Sequence, residues 1–462
     1  MLKDIARVTL ANIIVLFLGF LRDVVLSYNF GISKFTDSFF SIYLLVEDFN
    51  VIISTGLVFG LINYFGTLDN LGVNIKNFIC SKIKYILFVP PILILINVLL
   101  FYSNFASNDL FLISFFGTSG IPLSLISGLL SAYLMYKSNI FIAILSKGIN
   151  YSFIIICLFY LDENSNYLLF GLMILTAYLI QLGFLFFHFN KSEEQLDTTK
   201  KLDQNNFLSD SLSWAIAPFF MPFLGNIFIR IILLNNGDQL VSILNYANKI
   251  LVLVNAFTFS IILVGFKNAI NIKNKDIKSF KNDIDLNIRR IIYFLIPISL
   301  LISFNSDFFI KLIFERGQFS SSLTELTAYS LSILSLSIFP GTLFGYLIRI
   351  YAAFYDRKFY YFTFIFWMIS TILLTMLFVN EHPILSYPLA YLISLISVCF
   401  LTLYRFHQKL NIIRNLKEIL NGVIFGIIFL SIGVFINKVF ASVMLFLFLI
   451  IIFFKKSNKL LK

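Results

Sequence analysis

Ionisable side chains stand inside segments of this chain that are otherwise apolar. Arg22 and Asp23 are adjacent within the first hydrophobic stretch, and Glu47, Asp48 and Lys147 lie within later ones. Each charge at the centre of a membrane helix costs roughly 2.5 to 3.5 kcal/mol on insertion scales, so such residues usually face a polar interior, a partner or a pathway. Guanidinium groups bind carboxylates and phosphates through paired hydrogen bonds. The pattern therefore predicts a polar cavity that offers cations to an anionic ligand.

The composition predicts the elements that carry these side chains. The chain is 59% hydrophobic and 13% charged, whereas soluble domains carry about 25% charged residues. Fourteen continuous apolar segments are each long enough, at about 20 residues, to cross a hydrocarbon core of roughly 30 Å. They lack the short alternating pattern of a membrane β-barrel. We therefore predict an all-α polytopic membrane protein with fourteen transmembrane helices.

The positive charges predict the orientation in the membrane. Most of the 35 Lys and Arg residues fall in loops on one side, and cytoplasmic loops retain such charges during insertion. Both termini are therefore predicted to be cytoplasmic. The net charge of +11 is explained by this topology and by anionic inner-leaflet lipid, so no nucleic-acid partner is expected. The predicted outer loops hold only four basic residues, Lys34, Lys311, Arg316 and Lys438.

Polar segments predict the domain organisation. A cytoplasmic linker at 191–207 separates an N-terminal lobe of six spans (1–190) from a C-terminal lobe of six spans (208–404). Residues 405–462 add a final helix pair and a basic tail. Within the second lobe, the basic cytoplasmic loop 267–290 has apolar residues at helical spacing, which predicts either a helix on the membrane surface or a solvated connector.

The depth of the charges predicts their pairing. At 1.5 Å per residue, Arg22 lies about 9 Å and Glu47 about 15 Å from the outer end of their spans. Adjacent helical residues point about 100° apart, so Arg22 and Asp23 are not expected to satisfy each other well, and each is expected to need a partner on another helix. Glu47 or Asp48 is predicted to pair with Arg22, and Lys249 with Asp23. The alternative is a set of structural ion pairs that lock helices together. Further coupling or accessory candidates are Lys147, Arg230 and Asn226.

The sequence carries no catalytic or metal-binding motif. HExxH, P-loop, GxSxG and GxGxxG patterns are absent. Cys80, Cys157 and Cys399 have no CxxC spacing, so neither a disulfide framework nor a metal site is predicted. Without a P-loop, transport is expected to draw on a Na+ or H+ gradient, the membrane potential or the substrate's own gradient, and no cofactor is predicted.

Three blocks of residues resemble a known family. The first block consists of Gly19-Phe20-Leu21-Arg22-Asp23, then Phe30-Gly31 and Thr36-Asp37-Ser38-Phe39-Phe40. It resembles the N-terminal part of the MurJ/MviN lipid II flippases, a family within the multidrug/oligosaccharidyl-lipid/polysaccharide exporter superfamily. Tyr246-Ala247-Asn248-Lys249 is similar to the family's Tyr-Ala-Asp-Arg. Phe314-Glu315-Arg316-Gly317-Gln318-Phe319 is similar to its Phe-Glu-Arg-Gly-x-Phe. The likeness covers nearly the whole chain.

The resemblance implies a flippase that moves an undecaprenyl-pyrophosphate-linked saccharide across the bacterial inner membrane by alternating access of its two lobes. Arg22 and Asp23 match cavity residues of the family, and Asp37 matches an acidic residue near the outer gate. In the family, the last two spans are associated with a lateral groove for the lipid tail, so the resemblance implies such a groove here. Membrane lipid and the lipid-linked saccharide are the implied partners, with cell-wall or polysaccharide synthesis enzymes as candidate protein partners.

The chain also departs from the family pattern. Asn50 and Leu16 stand where the family has arginines, and Lys249 keeps a charge without the bidentate fork. Glu47 and Asp48 add negative charge to the predicted cavity. Lipid II is the leading predicted substrate, with an O-antigen or capsular repeat unit as the alternative. A cation-coupled small-molecule exporter of MATE type and a scaffold for cell-wall enzymes are the other hypotheses.

Overall fold

The computed structural model describes residues 2–33, 36–37, 39–40, 43, 47, 75–86, 120–137, 139–161, 167–191, 221–252, 254, 277–354, 357–410, 428 and 445. Every regular element in these residues is a helix, which confirms the all-α prediction for them. The helices are α1 Leu2–Phe30, α2 Ile75–Ile86, α3 Gly120–Tyr136, α4 Ile140–Leu158, α5 Tyr167–Lys191, α6 Met221–Asn236, α7 Leu240–Val252, α8 Ile277–Phe304, α9 Ser306–Phe314, α10 Ser321–Leu336, α11 Ile338–Phe354, α12 Arg357–Phe378 and α13 Pro383–Leu410.

Several of these helices have the length and composition of membrane spans. The described residues contain seven such stretches, which are Ile13–Phe30, Ile140–Leu158, Leu169–Lys191, Phe280–Phe304, Ser321–Tyr351, Lys358–Phe378 and Pro383–Gln408. A multi-pass membrane protein is therefore confirmed. The predicted total of fourteen spans includes segments outside the described residues and stays a prediction.

The chain divides into two compact units. The first comprises Met1–Ile227 and Arg316–Phe319, and the second comprises Phe228–Glu315 and Ser320–Lys462. The division falls inside α6. The predicted linker at 191–207 lies almost wholly outside the described residues, so the predicted lobe boundaries stay predictions.

In the first unit, α4 packs along α1 and also against α3 and α5. Small residues permit the close approach of α1 and α4. A Cβ on Gly19 would lie 3.0 Å from Cε2 of Tyr151, and one on Gly148 would lie 3.2 Å from Cδ1 of Leu18. Glycine is favoured at such crossings in membrane proteins because it lets two backbones pack closely. This packing brings Tyr151 against α1.

An aromatic cluster holds the helical residues after α1 in place. The ring of Phe39 stacks on that of Tyr43 at 5.1 Å and meets Phe170 of α5 edge-on at 5.7 Å. Phe30, at the end of α1, contacts the same Phe170 ring at 5.6 Å. All four side chains are buried. Because Tyr43 and Glu47 are both helical and four residues apart, the cluster also orients Glu47.

A turn distant in sequence completes the end of α1. Gly31 has a φ of +54°, and its N–H donates to Ser27 O at 3.0 Å, so it closes the helix in the left-handed conformation that glycine favours. The carbonyl of Tyr28 is one of the last four carbonyls of α1, which lack a partner within the helix. It accepts a hydrogen bond of 3.0 Å from the N–H of Gln318. Gly317, at a φ of +58°, packs directly on Tyr28.

In the second unit, α13 packs against α10, α11 and α12, and α8 packs against α10 and α11. Helix α8 corrects the predicted loop at 267–290, because residues 277–290 form the first half of this continuous helix. Its apolar residues Phe280, Ile284 and Ile288 are each no more than 1% exposed. They face the protein interior, so for residues 277–290 both predicted alternatives, a helix with its apolar face on the membrane surface and a solvated connector, are wrong.

Candidate functional site

The predicted intramembrane charges Arg22 and Asp23 are both fully buried in α1. Nε and Nη2 of Arg22 donate to Oδ1 of Asp23 at 2.9 and 2.7 Å. The prediction that these neighbours would not satisfy each other well is therefore wrong for the Nε and Nη2 edge of Arg22, whereas Nη1 makes no hydrogen bond to Asp23. The angle of about 100° separates their Cβ directions, but the long arginine side chain folds back across one residue and brings its guanidinium to the carboxylate.

Glu47 supplies the second carboxylate at Arg22. Its Oε2 lies 3.6 Å from Nη1 of Arg22, which confirms the predicted pairing of these two residues. The other oxygen, Oε1, accepts a hydrogen bond of 2.5 Å from the hydroxyl of Tyr151. The Glu47 side chain is 20% exposed, whereas Arg22 is not exposed at all. The predicted site residues Asp48 and Asn50 lie outside the described residues.

Two tyrosines enclose the guanidinium of Arg22. Its Cζ lies 4.4 Å from the ring centroid of Tyr43 and 5.0 Å from that of Tyr151, both within cation–π distance. The hydroxyl of Tyr43 donates to Oδ1 of Asn150 at 3.3 Å. Sequence reasoning missed these tyrosines. A usable signal was present, because Tyr43 precedes Glu47 and Tyr151 follows Lys147 by four residues, a spacing that places each pair on one helix face.

Lys147 completes a group that we call the Arg22 cluster. It lies on α4 one turn before Tyr151 and interacts electrostatically with Glu47. The two cations Arg22 and Lys147 and the two anions Asp23 and Glu47 cancel formally at their ordinary charges. The members of the Arg22 cluster are Arg22, Asp23, Tyr43, Glu47, Lys147, Asn150 and Tyr151.

The other predicted site residues lie elsewhere in the fold. Asp37 is 3% exposed and follows a reciprocal cap, in which Ser33 N–H donates to Thr36 Oγ1 at 2.9 Å and Thr36 N–H to Ser33 Oγ at 3.3 Å. Arg230 and Lys249 belong to the second unit, so the pairing of Lys249 with Asp23 stays a prediction.

The accessory candidate Asn226 lies on α6 in the first unit. Its coupling role, like that of Arg230 and Lys147, stays a prediction. Among the described residues, no three His, Cys, Asp or Glu side chains are grouped to hold a metal ion.

Two blocks of the family resemblance meet within the second unit. The rings of Tyr246 and Phe314 are 5.0 Å apart, and both side chains are fully buried. After Phe314, Glu315 accepts a hydrogen bond of 2.8 Å at Oε2 from the hydroxyl of Thr324. Both contacts lie within the second unit.

Tyr151→Phe tests the hydrogen bond that holds Glu47. We expect the substitution to lower the free energy of unfolding by about 1.5 to 3 kcal/mol, because a partly buried charged acceptor loses its donor while the ring remains. Denaturation in detergent measures the effect. Tyr329→Phe is the matched control, since the Tyr329 hydroxyl reaches Glu325 at 3.4 Å on an exposed face. Equal stability of the two variants would contradict the expectation.

The family comparison agrees with the resemblance drawn from the sequence blocks. A sequence profile described as lipid II flippase MurJ matches residues 127–459. No curated protein sequence matches the chain significantly. Among solved structures, the chain is similar to a lipid II flippase MurJ in an inward closed conformation, with a TM-score of 0.75 and 18% identity over 98% of this chain and 99% of that chain.

Transporters of the multidrug/oligosaccharidyl-lipid/polysaccharide (MOP) superfamily have a similar fold with lower TM-scores. An inward-facing multidrug resistance MATE family transporter has a TM-score of 0.67 and 11% identity over 86% of this chain and 94% of that one. A MOP superfamily transporter from Pyrococcus furiosus has a TM-score of 0.62 and 11% identity over 88% and 96%. At these identities the structural likeness shows the fold alone. Since the profile match spans well over half of its length, this chain belongs to the lipid II flippase MurJ family, whose members are membrane transporters rather than enzymes.

Proposed function

We propose that this chain moves a polyprenyl-pyrophosphate-linked saccharide, with lipid II as the leading substrate, across the bacterial inner membrane by alternating access. The family match over residues 127–459 carries the proposal. The similarity of nearly the whole chain to a solved lipid II flippase MurJ supports the corresponding fold. Fourteen spans with both termini in the cytoplasm belong to the same proposal.

The chemistry of the Arg22 cluster suits a pyrophosphate ligand. A guanidinium fork matches phosphate oxygens, and it stays charged under all physiological conditions. The rings of Tyr43 and Tyr151 contact the Arg22 guanidinium and restrict its rotation. In a site shielded from water, each hydrogen bond to a phosphate oxygen is stronger than it is in bulk solvent. Arg22 is therefore the residue that we assign to the pyrophosphate.

Access to Arg22 requires a conformational change. Its side chain is fully buried, and it is engaged by Asp23 and Glu47. A head group can reach the guanidinium only if these neighbours or the helices that carry them move. Alternating access supplies such a movement, and a Na+ or H+ gradient or the membrane potential is the energy source that we propose. Cell-wall or polysaccharide synthesis enzymes would supply and consume the substrate.

An O-antigen or capsular repeat unit is the second candidate substrate. It is favoured by the positions at which the chain lacks the family's arginines, namely Asn50, Leu16 and Lys249. Such a unit can share the polyprenyl pyrophosphate and differ only in its sugars. The small-molecule exporter is weaker, because the profile match is to MurJ and the structural similarity to the MATE transporter is lower.

Complementation tests the proposed function. The chain is expressed in a bacterium depleted of its lipid II flippase, and in a second strain that lacks its O-antigen flippase. Growth of the first strain is expected, together with loss of the lipid II that accumulates on the cytoplasmic side. Rescue of only the second strain would show that the O-antigen repeat unit, and not lipid II, is the substrate. Failure in both strains, with the protein present in the membrane, would contradict the proposal.

A further inference from the structure

The contact between Glu47 and Arg22 is longer than the contact between Asp23 and Arg22. Asp23 binds the Nε and Nη2 edge of the guanidinium through short hydrogen bonds of 2.9 and 2.7 Å. Nη1 makes no hydrogen bond to any described residue, and Oε2 of Glu47 faces it at 3.6 Å. The guanidinium therefore has one edge firmly occupied and one held only by a longer ionic contact.

Glu47 is also the more accessible of the two acids. Its side chain is 20% exposed, whereas the Asp23 side chain is fully buried. The two acids also differ in how they are held. Asp23 is adjacent to Arg22 in α1, so it moves with the arginine, whereas Glu47 lies 25 residues further along the chain and is anchored by Tyr151 of α4. A movement between helices can thus withdraw Glu47 from Arg22 and leave the Asp23 contact intact.

From this geometry we infer that Glu47 is a displaceable internal counter-ion, which occupies the phosphate-binding edge of Arg22 until the pyrophosphate of the substrate replaces it. The inference rests on the proposed function and assigns to Glu47 the control of affinity at that site. A carboxylate at Nη1 gives that buried edge of the guanidinium an ionic partner when the site is empty, in addition to the Asp23 pair. It also competes with the substrate and so favours release after transport.

The charges of the cluster support this role. Arg22 and Lys147 are balanced by Asp23 and Glu47, so with Glu47 in place the cluster offers no excess positive charge to an anion. Displacement of the Glu47 carboxylate frees the Nη1 edge of the guanidinium for a phosphate oxygen, while Asp23 keeps the Nε and Nη2 edge. Tyr151 and Lys147 lie on α4, where the Tyr151 hydroxyl donates to Glu47 Oε1 and Lys147 interacts with Glu47 electrostatically, so both can hold the carboxylate when it leaves Arg22.

The substitution Glu47→Gln tests whether the Glu47 charge competes with the substrate for Arg22, while it keeps the size of the side chain. The amide keeps an oxygen that can accept the hydrogen bond from Tyr151, and it removes the charge that competes for Arg22. If Glu47 occupies Arg22 about nine-tenths of the time, its removal should tighten pyrophosphate binding roughly tenfold. Glu325→Gln is the matched control, because Glu325 also accepts from a tyrosine hydroxyl but lies exposed on α10.

The experiment measures dissociation constants in nanodiscs of phosphatidylethanolamine and phosphatidylglycerol. The ligands are lipid II, undecaprenyl pyrophosphate and, without any phosphate, undecaprenol. We expect Glu47→Gln to tighten both pyrophosphate lipids and to leave undecaprenol unchanged, while Glu325→Gln matches the wild type. In a double-mutant cycle, Arg22→Lys should remove most of the gain, because the two residues act on one contact.

Two other outcomes are informative. If the wild type prefers the pyrophosphate lipids to undecaprenol but Glu47→Gln binds them no more tightly, Glu47 is a structural partner only, and this inference is overturned while the proposed function stands. If neither protein prefers the pyrophosphate lipids to undecaprenol, the proposed function fails and the inference fails with it.

Discussion

Arg22→Ala is expected to abolish rescue of a strain depleted of its lipid II flippase. The substitution removes the guanidinium that we assign to the pyrophosphate. It also leaves Asp23 and Glu47 without their buried cation, which costs about 3 to 5 kcal/mol when one partner of a buried pair is deleted. Growth at a matched membrane level of the protein is the measurement, and the free energy of unfolding in detergent is determined in parallel.

Arg22→Lys separates binding from stability in this test. Lysine keeps the positive charge near Asp23 but cannot form the bidentate fork, so we expect a folded protein with strongly reduced rescue. Arg405→Ala is the control, because Arg405 is an exposed arginine whose Cζ lies 5.4 Å from the ring of Phe359. Full rescue by Arg22→Ala would show that the pyrophosphate is held elsewhere.

Gly317→Ala is expected to destabilise the protein by about 2 to 4 kcal/mol, through backbone strain and a lost hydrogen bond. Gly317 has a φ of +58°, which L side chains rarely adopt, and a Cβ there would overlap the carbonyl oxygen of Tyr28 and lie 2.9 Å from its Cδ2. The turn must shift to relieve the overlap. The hydrogen bond from Gln318 N–H to Tyr28 O is then lost, and a terminal carbonyl of α1 loses its partner. Chemical denaturation in detergent measures the change.

Gly183→Ala is the matched control for this substitution. Gly183 lies in α5, and a Cβ at that position would meet no atom within 4 Å. Alanine in a helix interior is favoured over glycine by roughly 0.5 to 1 kcal/mol, so this variant should be unchanged or more stable. If Gly317→Ala were as stable as Gly183→Ala, the turn would not pack on α1 in the folded protein.

Part of the fold and of the Arg22 cluster could be predicted from the sequence, because those features depend on local physical chemistry. Apolar composition and segment length predicted a multi-pass helical membrane protein, since each span must satisfy its own backbone in lipid. The cost of buried charge singled out Arg22 and Asp23, and helical depth matched Arg22 to Glu47, which the structure confirms. The prediction failed for the described part of the loop at 267–290, because an apolar helix face has the same residue spacing whether it contacts lipid or protein.

Apart from the pairing of Arg22 with Glu47, the contacts inside the Arg22 cluster could not be predicted from the sequence. Spacing on a helix describes Cβ directions, whereas the pairing of Arg22 with Asp23 depends on the rotamer that the surrounding helices leave open. Tyr151 reaches Glu47 across 104 positions of the chain, a contact that no local pattern encodes. The closeness of α1 and α4 at Gly19 makes it possible.

The sequence by itself determined the all-α membrane class, the buried charges and the blocks that relate the chain to its family. Each of these follows from hydrophobicity, helical period and charge cost, which act within a segment. Only the tertiary structure decided which carboxylate holds which edge of Arg22, which rings enclose it, and that Gln318 satisfies a terminal carbonyl of α1. Those contacts depend on the packing of segments distant in the chain, where a few tenths of an ångström at a glycine decide whether two helices can meet.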